Sequence, residues 1–280
     1  MQATEGNIPA AAQQGLKDTL KSQGYFLACS CLAESPLHIV DSKSTQQQYS
    51  ASVIEHKFIN DYILCLKLKT EDPFYYHAGQ FINLWMDKKV SRSYSLASVD
   101  KLDELLELHI RRIPNGVVSN WLCDEVSIGD TIQIQAATGD CFYTPGASKQ
   151  KLLLAGTGTG LAPLKGITRD ALAQGHIGEI HLLHGAMHTD DLYMNQSLLK
   201  MAEKYNQFHY HTNVLQSENA ISIDQQLLDI ASSDLAESKI YLCGDADIVN
   251  KLKTKLFLAG ASMNNIYSDP FIIAADGVNT

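Results

Sequence analysis

At 280 residues, with 45% hydrophobic and 19% charged residues, the chain is long enough for two compact domains and a large core. A formal net charge of -9 excludes nucleic acid or anionic membrane as the main partner, because neutralising phosphates needs clustered cations. No apolar run approaches the roughly 20 residues that span a bilayer, and no basic region followed by an apolar core opens the chain, so a cytoplasmic location is expected. Its six cysteines are scattered, with only Cys29 and Cys31 close together, which gives neither a disulfide framework nor a complete zinc site.

Residues 1–45 are polar and alanine-rich until the apolar run Gly24-Tyr25-Phe26-Leu27-Ala28-Cys29-Ser30-Cys31, followed by Pro36-Leu37-His38-Ile39. This stretch resembles the end of a plant-type 2Fe–2S ferredoxin domain, and the resemblance implies that Cys29 matches the last of four cluster ligands. In that family the other three lie upstream in a C-x4-C-x2-C loop, yet no cysteine precedes Cys29 here. One thiolate, or two with Cys31, cannot hold a cluster that needs four. No complete iron–sulfur cluster and no metal site are therefore expected in this chain. A shortened start, a genuine loss of the domain and a chance match each account for the pattern.

A polar linker, Ser42 to Gln48, leads into a middle region, 46–148, of short stretches that read as strands. They are Tyr49 to His56, Tyr62 to Lys69, Gln80 to Met86, Ser91 to Ser98, Leu105 to Ile113 and Thr131 to Ala136. Turn signals such as Asp72-Pro73, Pro114-Asn115-Gly116 and Gly129-Asp130 separate them, which predicts an antiparallel six-stranded barrel. One strand carries Arg92-Ser93-Tyr94-Ser95, where the arginine fork suits a phosphate, the phenol offers a flat face and the serine a hydroxyl. Taken alone, such a strand is more often ordinary sheet with a polar face. A helix is predicted from Val117, directly after Gly116, so its first N–H groups form a ready anion site to which Ser119 adds a hydroxyl.

Together, Arg92-Ser93-Tyr94-Ser95 and Gly116-Val117-Val118-Ser119 resemble the flavin domain of the ferredoxin–NADP reductase superfamily. The resemblance implies that Arg92 contacts the FAD pyrophosphate, that Tyr94 packs on the ribityl and ring, and that Ser95 lies beside the reactive N5 edge. It places Ser93 in the same motif, assigns Gly116, Val117, Val118 and Ser119 to the pyrophosphate cradle, and sets His109, Ile110 and Arg111 on the strand beside the cofactor. Gly139-Asp140-Cys141-Phe142 resembles the close of this domain, with Thr138 in place of the usual proline.

From 149 to 280, apolar runs alternate with helical ones, which predicts an α/β domain with a parallel five-stranded sheet and helices on both faces. Lys151 to Ala155 reads as a buried strand, and Gly156-Thr157-Gly158-Thr159-Gly160 follows, then an apolar helix from Leu161 to Ala173. Glycines there let a backbone approach a pyrophosphate while the helix start supplies N–H groups. The loop with its Leu161-Ala162-Pro163 resembles the nicotinamide-dinucleotide loop of the same superfamily, and Cys243-Gly244 resembles its strand-ending pair, whose thiol borders the nicotinamide. Asp245 stands where proline is common. Gly156 to Gly160 and Cys243, Gly244 and Asp245 are expected to meet beyond the strand ends. Phe271 stands where relatives carry an aromatic that stacks on the flavin.

After the third strand of this domain, where relatives that prefer NADPH place serine with arginine, the resemblance sets Val214-Leu215-Gln216-Ser217-Glu218-Asn219, which has one serine, an acid and no cation; no arginine follows Arg169, so a 2'-phosphate would lack a partner and NADH is expected over NADPH. The resemblance implies a flavoprotein that transfers hydride from NADH, with NADPH possible, to FAD. Ser95 and Cys243 are its catalytic candidates. The electrons then pass to an acceptor, whether oxygenase, ferredoxin or small molecule, as in a reductase component of an electron-transfer chain. A free-standing flavin or ferric reductase and a catalytically silent FAD-binding subunit are the rival readings.

Overall fold

The computed structural model describes residues 1–40, 47–146, 148–217, 220–231 and 234–272. Most of the linker, together with Glu218, Asn219 and the tail 273–280, lies outside the described residues. In the N-terminal segment, β1 (Gln2–Glu5) pairs antiparallel with β2 (His38–Val40), and the short α1 (Asp18–Ser22) lies between them in sequence. The run 24–31 forms a single bridge, Gln2 to Tyr25, and a 3-10 turn at Ala28–Ser30 rather than an extended strand. Cys29 is exposed and Cys31 partly so.

The six-stranded antiparallel sheet comprises β3 (Gln48–Asn60), β4 (Ile63–Thr70), β5 (Phe81–Trp85), β6 (Ser91–Ser95), β7 (Leu106–Arg111) and β8 (Thr131–Gln135). They are ordered β6-β5-β8-β3-β4-β7. It curls until its two edges touch, with Leu96 bridging Leu108 and the Ala97 N–H donating to the Glu107 carbonyl at 2.8 Å. The predicted barrel is thus an open sheet closed by a single bridge. Strand alternation explains two faces of use. Leu64, Leu66 and Leu68 of β4 and Leu106, Leu108 and Ile110 of β7 fill the interior, whereas Ile63, Glu107 and His109 point out toward the second domain. One helix, α2 (Val117–Asp124), lies against this interior through Val118 and Leu122.

The second sheet is wholly parallel, built from β9 (Leu152–Thr157), β10 (Ile180–Ala186), β11 (Phe208–Val214), β12 (Lys239–Asp245) and β13 (Ile266–Phe271), in the order β11-β10-β9-β12-β13. Helices α3 (Leu161–Ala173), α4 (Asn195–Lys204), α5 (Ile223–Ala231) and α6 (Ala246–Leu258) connect or follow the strands. β13, read in the sequence only as the seat of an aromatic, is the fifth strand. From β9 the chain winds outward one way to β11 and then returns to β12 on the other side. The strand order therefore reverses between β9 and β12, opening a crevice beyond their carboxyl ends. Pro163 sits in the first turn of α3, where its missing N–H would have had no partner.

Candidate active site at the domain seam

On β6, Arg92 and Ser93 are exposed, Tyr94 packs partly against the sheet interior, and Ser95 is buried. Arg92 Nη1 bonds only the carbonyl of Ser91, at 2.8 Å, and among the described residues no carboxylate lies within ion-pair distance of it. By contrast, Arg112 pairs with Asp124 and Arg169 with Asp103. At α2, no side chain caps the helix start, and Val117 is 58% exposed beside it. A Cβ on Gly116 would fall 2.5 Å from Ser119 Oγ, so only glycine lets the chain turn in this tightly. An unpaired guanidinium and an uncapped helix start are the donor set a pyrophosphate needs, so these residues fit FAD. Ser119 itself faces inward: its Oγ donates to the Gly116 carbonyl at 3.4 Å and accepts from the Ile113 N–H at 3.3 Å.

The loop after β9 nests into the end of β12. A Cβ on Gly160 would lie 2.2 Å from the Cys243 carbonyl oxygen and one on Gly156 2.7 Å from it, while Gly244, at φ +120°, abuts Thr157. Gly158 differs, for it has φ +52° and nothing nearer its Cβ position than Arg111 Nη1 at 4.0 Å. The loop is therefore packed on one side and open on the other, beside an exposed arginine of β7. Thr157 Oγ1 accepts the Asp245 N–H at 3.3 Å. The Asp245 carboxylate is otherwise engaged, accepting from Asp247 N and Ile248 N as the N-cap of α6. Phe271, half-buried at the end of β13, stands in register with Asp245. The residues in this crevice fit a nicotinamide dinucleotide.

The two halves meet through Asp269, two residues before Phe271 on β13. Ser95 Oγ donates to Asp269 Oδ2 at 2.7 Å across the seam, and Asp269 is the register partner of Cys243. Burial raises the Asp269 carboxyl above its ordinary value, against the opposing effect of the Ser95 bond. Cys243 Sγ lies 3.7 Å from Cys141 Sγ; burial, then that second thiol, holds the Cys243 thiol well above its usual range, so it stays protonated. Ser95 and Cys243 thus meet at one half-buried carboxyl.

Other expected residues do different work. Ile110 is wholly buried inside the six-stranded sheet, so only its backbone faces outward. His109 turns to the second domain, with Nδ1 3.1 Å from the Tyr193 hydroxyl and Nε2 2.8 Å from Glu107. Burial lowers the His109 pKa. Burial also pushes Glu107 up, but bonds from His109 and from Lys165 of α3 outweigh it and hold the carboxylate well below its usual range. A polar string, Lys165–Glu107–His109–Tyr193, so ties the domains together. Alternation along β7 could have found it, because Glu107 and His109 share the face opposite Leu106, Leu108 and Ile110.

Two family models match in tandem: an oxidoreductase FAD-binding domain over residues 50–143 and an oxidoreductase NAD-binding domain over residues 154–254. The chain belongs to the ferredoxin–NADP reductase superfamily. Among relatives of this superfamily, it is 28% identical over 275 residues to the toluate 1,2-dioxygenase electron transfer component of Pseudomonas putida, covering 94% of this chain and 81% of that one. It is 28% identical to the ferredoxin–NAD(P)(+) reductase component of the naphthalene 1,2-dioxygenase system of the same species, covering 95% and 84%. The solved ferredoxin reductase in carbazole 1,9a-dioxygenase shares the fold, with a TM-score of 0.72 at 24% identity over 97% of this chain and 85% of that one. This member of the superfamily is an FAD- and NAD-binding oxidoreductase.

Proposed function

We propose that the chain is the reductase component of an oxygenase-type electron-transfer system, taking hydride from NADH into FAD and passing electrons to an oxygenase or ferredoxin. The observation that carries this reading is the Ser95–Asp269 bond, which joins the strand of the flavin-type motif to β13 at the register partner of Cys243. It is supported by relatives that are reductase or electron transfer components of aromatic dioxygenases. The division into a ferredoxin-like remnant with linker (1–45), an FAD domain (46–148) and an NAD domain (149–280) belongs to the same proposal, as does a cytoplasmic location. Among the described residues, no helix is long and apolar enough to cross a membrane.

Arg92 and Ser93, with the backbone N–H groups of Val117, Val118 and Ser119 that follow Gly116, would hold the FAD pyrophosphate, with Tyr94 and Phe271 on the ring. Gly156, Thr157, Gly158, Thr159, Gly160 and Gly244 would hold the dinucleotide, and Arg111 would answer its charge. Bound FAD supplies the two-electron to one-electron conversion, and no general base is required of the protein. The residues present align and exclude water. Ser95 Oγ and Asp269 Oδ2 hold a proton in a half-buried pair at the seam, while the neutral Cys243 thiol fills the space beside it without bringing a charge. NADH is preferred over NADPH on the acid and missing cation of 216–219.

Anaerobic addition of NADH to the FAD-loaded protein tests the proposal. Rapid bleaching of the flavin band, followed by reduction of an added 2Fe–2S ferredoxin, is the expected result. A flavin that stays oxidised would favour the silent-subunit reading, and bleaching with transfer only to free flavin or ferric chelates would favour the free-standing reductase.

A further inference from the structure

The rim of the parallel sheet carries a cluster that dinucleotide chemistry leaves unused. β10 and β11 pair with His181 opposite His209 and Leu183 opposite His211. Strand alternation therefore puts three imidazoles on one face. Their rings are stacked, His181 against His209 with centroids 4.7 Å apart and against His211 at 5.4 Å. The two nitrogens of His181 face different partners: Nδ1 is 3.1 Å from His211 Nε2, and Nε2 is 3.3 Å from Glu179 Oε2. One ligand atom from each of Glu179, His181 and His209 lies within 4.8 Å of the others, with Glu179 exposed and the histidines half-buried.

We propose that Glu179, His181 and His209 bind one late first-row divalent cation of the Zn2+ class, with His211 accepting the outer N–H of His181. A tetrahedral ion with N and O ligands at about 2.0–2.2 Å has ligand-to-ligand edges of roughly 3.3–3.5 Å. The His181–Glu179 separation already meets that value, and the remaining closure needs only rotation of side chains at the surface. Two imidazoles and one carboxylate select Zn2+, Ni2+ or Cu2+ over Mg2+ or Ca2+, which demand oxygen-rich sets. The His181–His211 bond fixes tautomer and ring orientation as outer partners of metal-bound histidines do. One cation competes for the site: Lys151 Nζ stands 3.4 Å from Glu179 and 3.8 Å from Asp234. On binding, Glu179 exchanges Lys151 for the metal and Lys151 keeps Asp234. A second triad, Cys65, Glu107 and His109, is already committed to Lys165 and Tyr193 inside the seam. The proposed site pairs with the start of β9, whereas the nucleotide loop follows its end. The metal thus staples the sheet rim rather than joining the redox centre.

Calorimetric titration of ZnCl2 into the FAD-loaded full chain tests this in a Cys29→Ser/Cys31→Ser background, which removes two accessible thiols. One saturating equivalent is expected. Glu179→Gln, which leaves the sheet untouched, and His181→Gln/His209→Gln should each weaken binding about tenfold or more, and His211→Gln by less. The Co2+ adduct should show visible d–d bands with no near-ultraviolet thiolate band, and reduction of the flavin by NADH should stay within about twofold of the parent, since the site lies outside the crevice. Absence of saturable Zn2+ binding in the background protein, or equal affinity in Glu179→Gln, would overturn the proposal.

Discussion

Removing the Ser95 hydroxyl probes the seam at its narrowest point. Ser95 is 8% exposed and donates at 2.7 Å to Asp269, a carboxyl whose pKa burial raises. In Ser95→Ala the half-buried carboxylate loses its donor, and a hydrogen bond to a charged group contributes about 1.5–3 kcal/mol. Each kcal/mol moves Tm by roughly 2–4 °C in a chain of this order of size, so the expected loss is roughly 3–12 °C. Asp269→Asn keeps an accepting oxygen and removes the half-buried charge, and should cost less than half as much. A raised carboxyl pKa means that the folded state holds the proton more tightly than the unfolded one. This group's penalty therefore grows as pH rises from the ordinary 3.8 through the higher folded value. Losing the Ser95 donor raises that folded value further, so the Ser95→Ala deficit should be larger at pH 7 than at pH 4. Thermal unfolding of the FAD-loaded protein, followed by circular dichroism and flavin fluorescence, completes a double-mutant cycle with Asp269→Ala. A coupling below about 0.5 kcal/mol, or a deficit independent of pH, would refute the bond as a link between the domains.

Gly160→Ala should impair folding or NADH-driven flavin reduction severely, because its Cβ would lie 2.2 Å from the Cys243 carbonyl, whereas Gly158→Ala meets open space and costs only about 1–2 kcal/mol for its φ of +52°. Similar unfolding midpoints for the two variants would contradict this nesting of loop and strand. Arg92→Ala should weaken FAD retention about tenfold or more, measured by equilibrium dialysis, since the pyrophosphate loses a charge-assisted partner; unchanged retention would remove Arg92 from the cradle. Burial alone lowers His184 from 6.5 to about 4, so the neutral form contributes stability fully present above pH 6.5 and lost as pH falls toward 4. The full span is about 3 kcal/mol. Urea midpoints at pH 7 and 4.5 should converge in His184→Gln, and an unchanged pH dependence would refute the assignment.

The strands and the glycine loop were legible because alternation and helix period act locally. β5 to β8 fall within the stretches read from their patterns, β3 runs on past its stretch to Asn60 and β4 one residue past its own to Thr70, and α3 spans Leu161–Ala173 as its apolar run implied. What stayed hidden depends on contacts far apart in the chain. Asp269 sits in a six-residue run beside a proline, and nothing local distinguishes a turn from a fifth parallel strand; only pairing with β12 decides it. At Asp245 the local sequence showed only a departure from proline, because a residue closing one strand also opens the next helix, where its carboxylate caps Asp247 and Ile248. His109 lies on the expected strand, but the barrel's curl turns its odd-numbered face toward Tyr193.

At the seam, α3 connects the two proposed dinucleotide sites. Its N-terminal end follows the glycine loop, while three later positions grip the flavin-type domain. Lys165 pairs with Glu107 of β7, and Arg169 holds Asp103 with two bonds at 2.7 and 2.9 Å. At Gly166 a Cβ would lie 3.2 Å from the carbonyl oxygens of Leu96 and Ala97, just past the Arg92–Ser95 motif. A bidentate arginine and a glycine close approach fix orientation as well as distance. The loop that would receive the nicotinamide nucleotide is therefore in rigid register with the strand that would present the flavin. Hydride transfer depends on alignment to within a fraction of an ångström, and on the proposed assignment of the two sites α3 would set it.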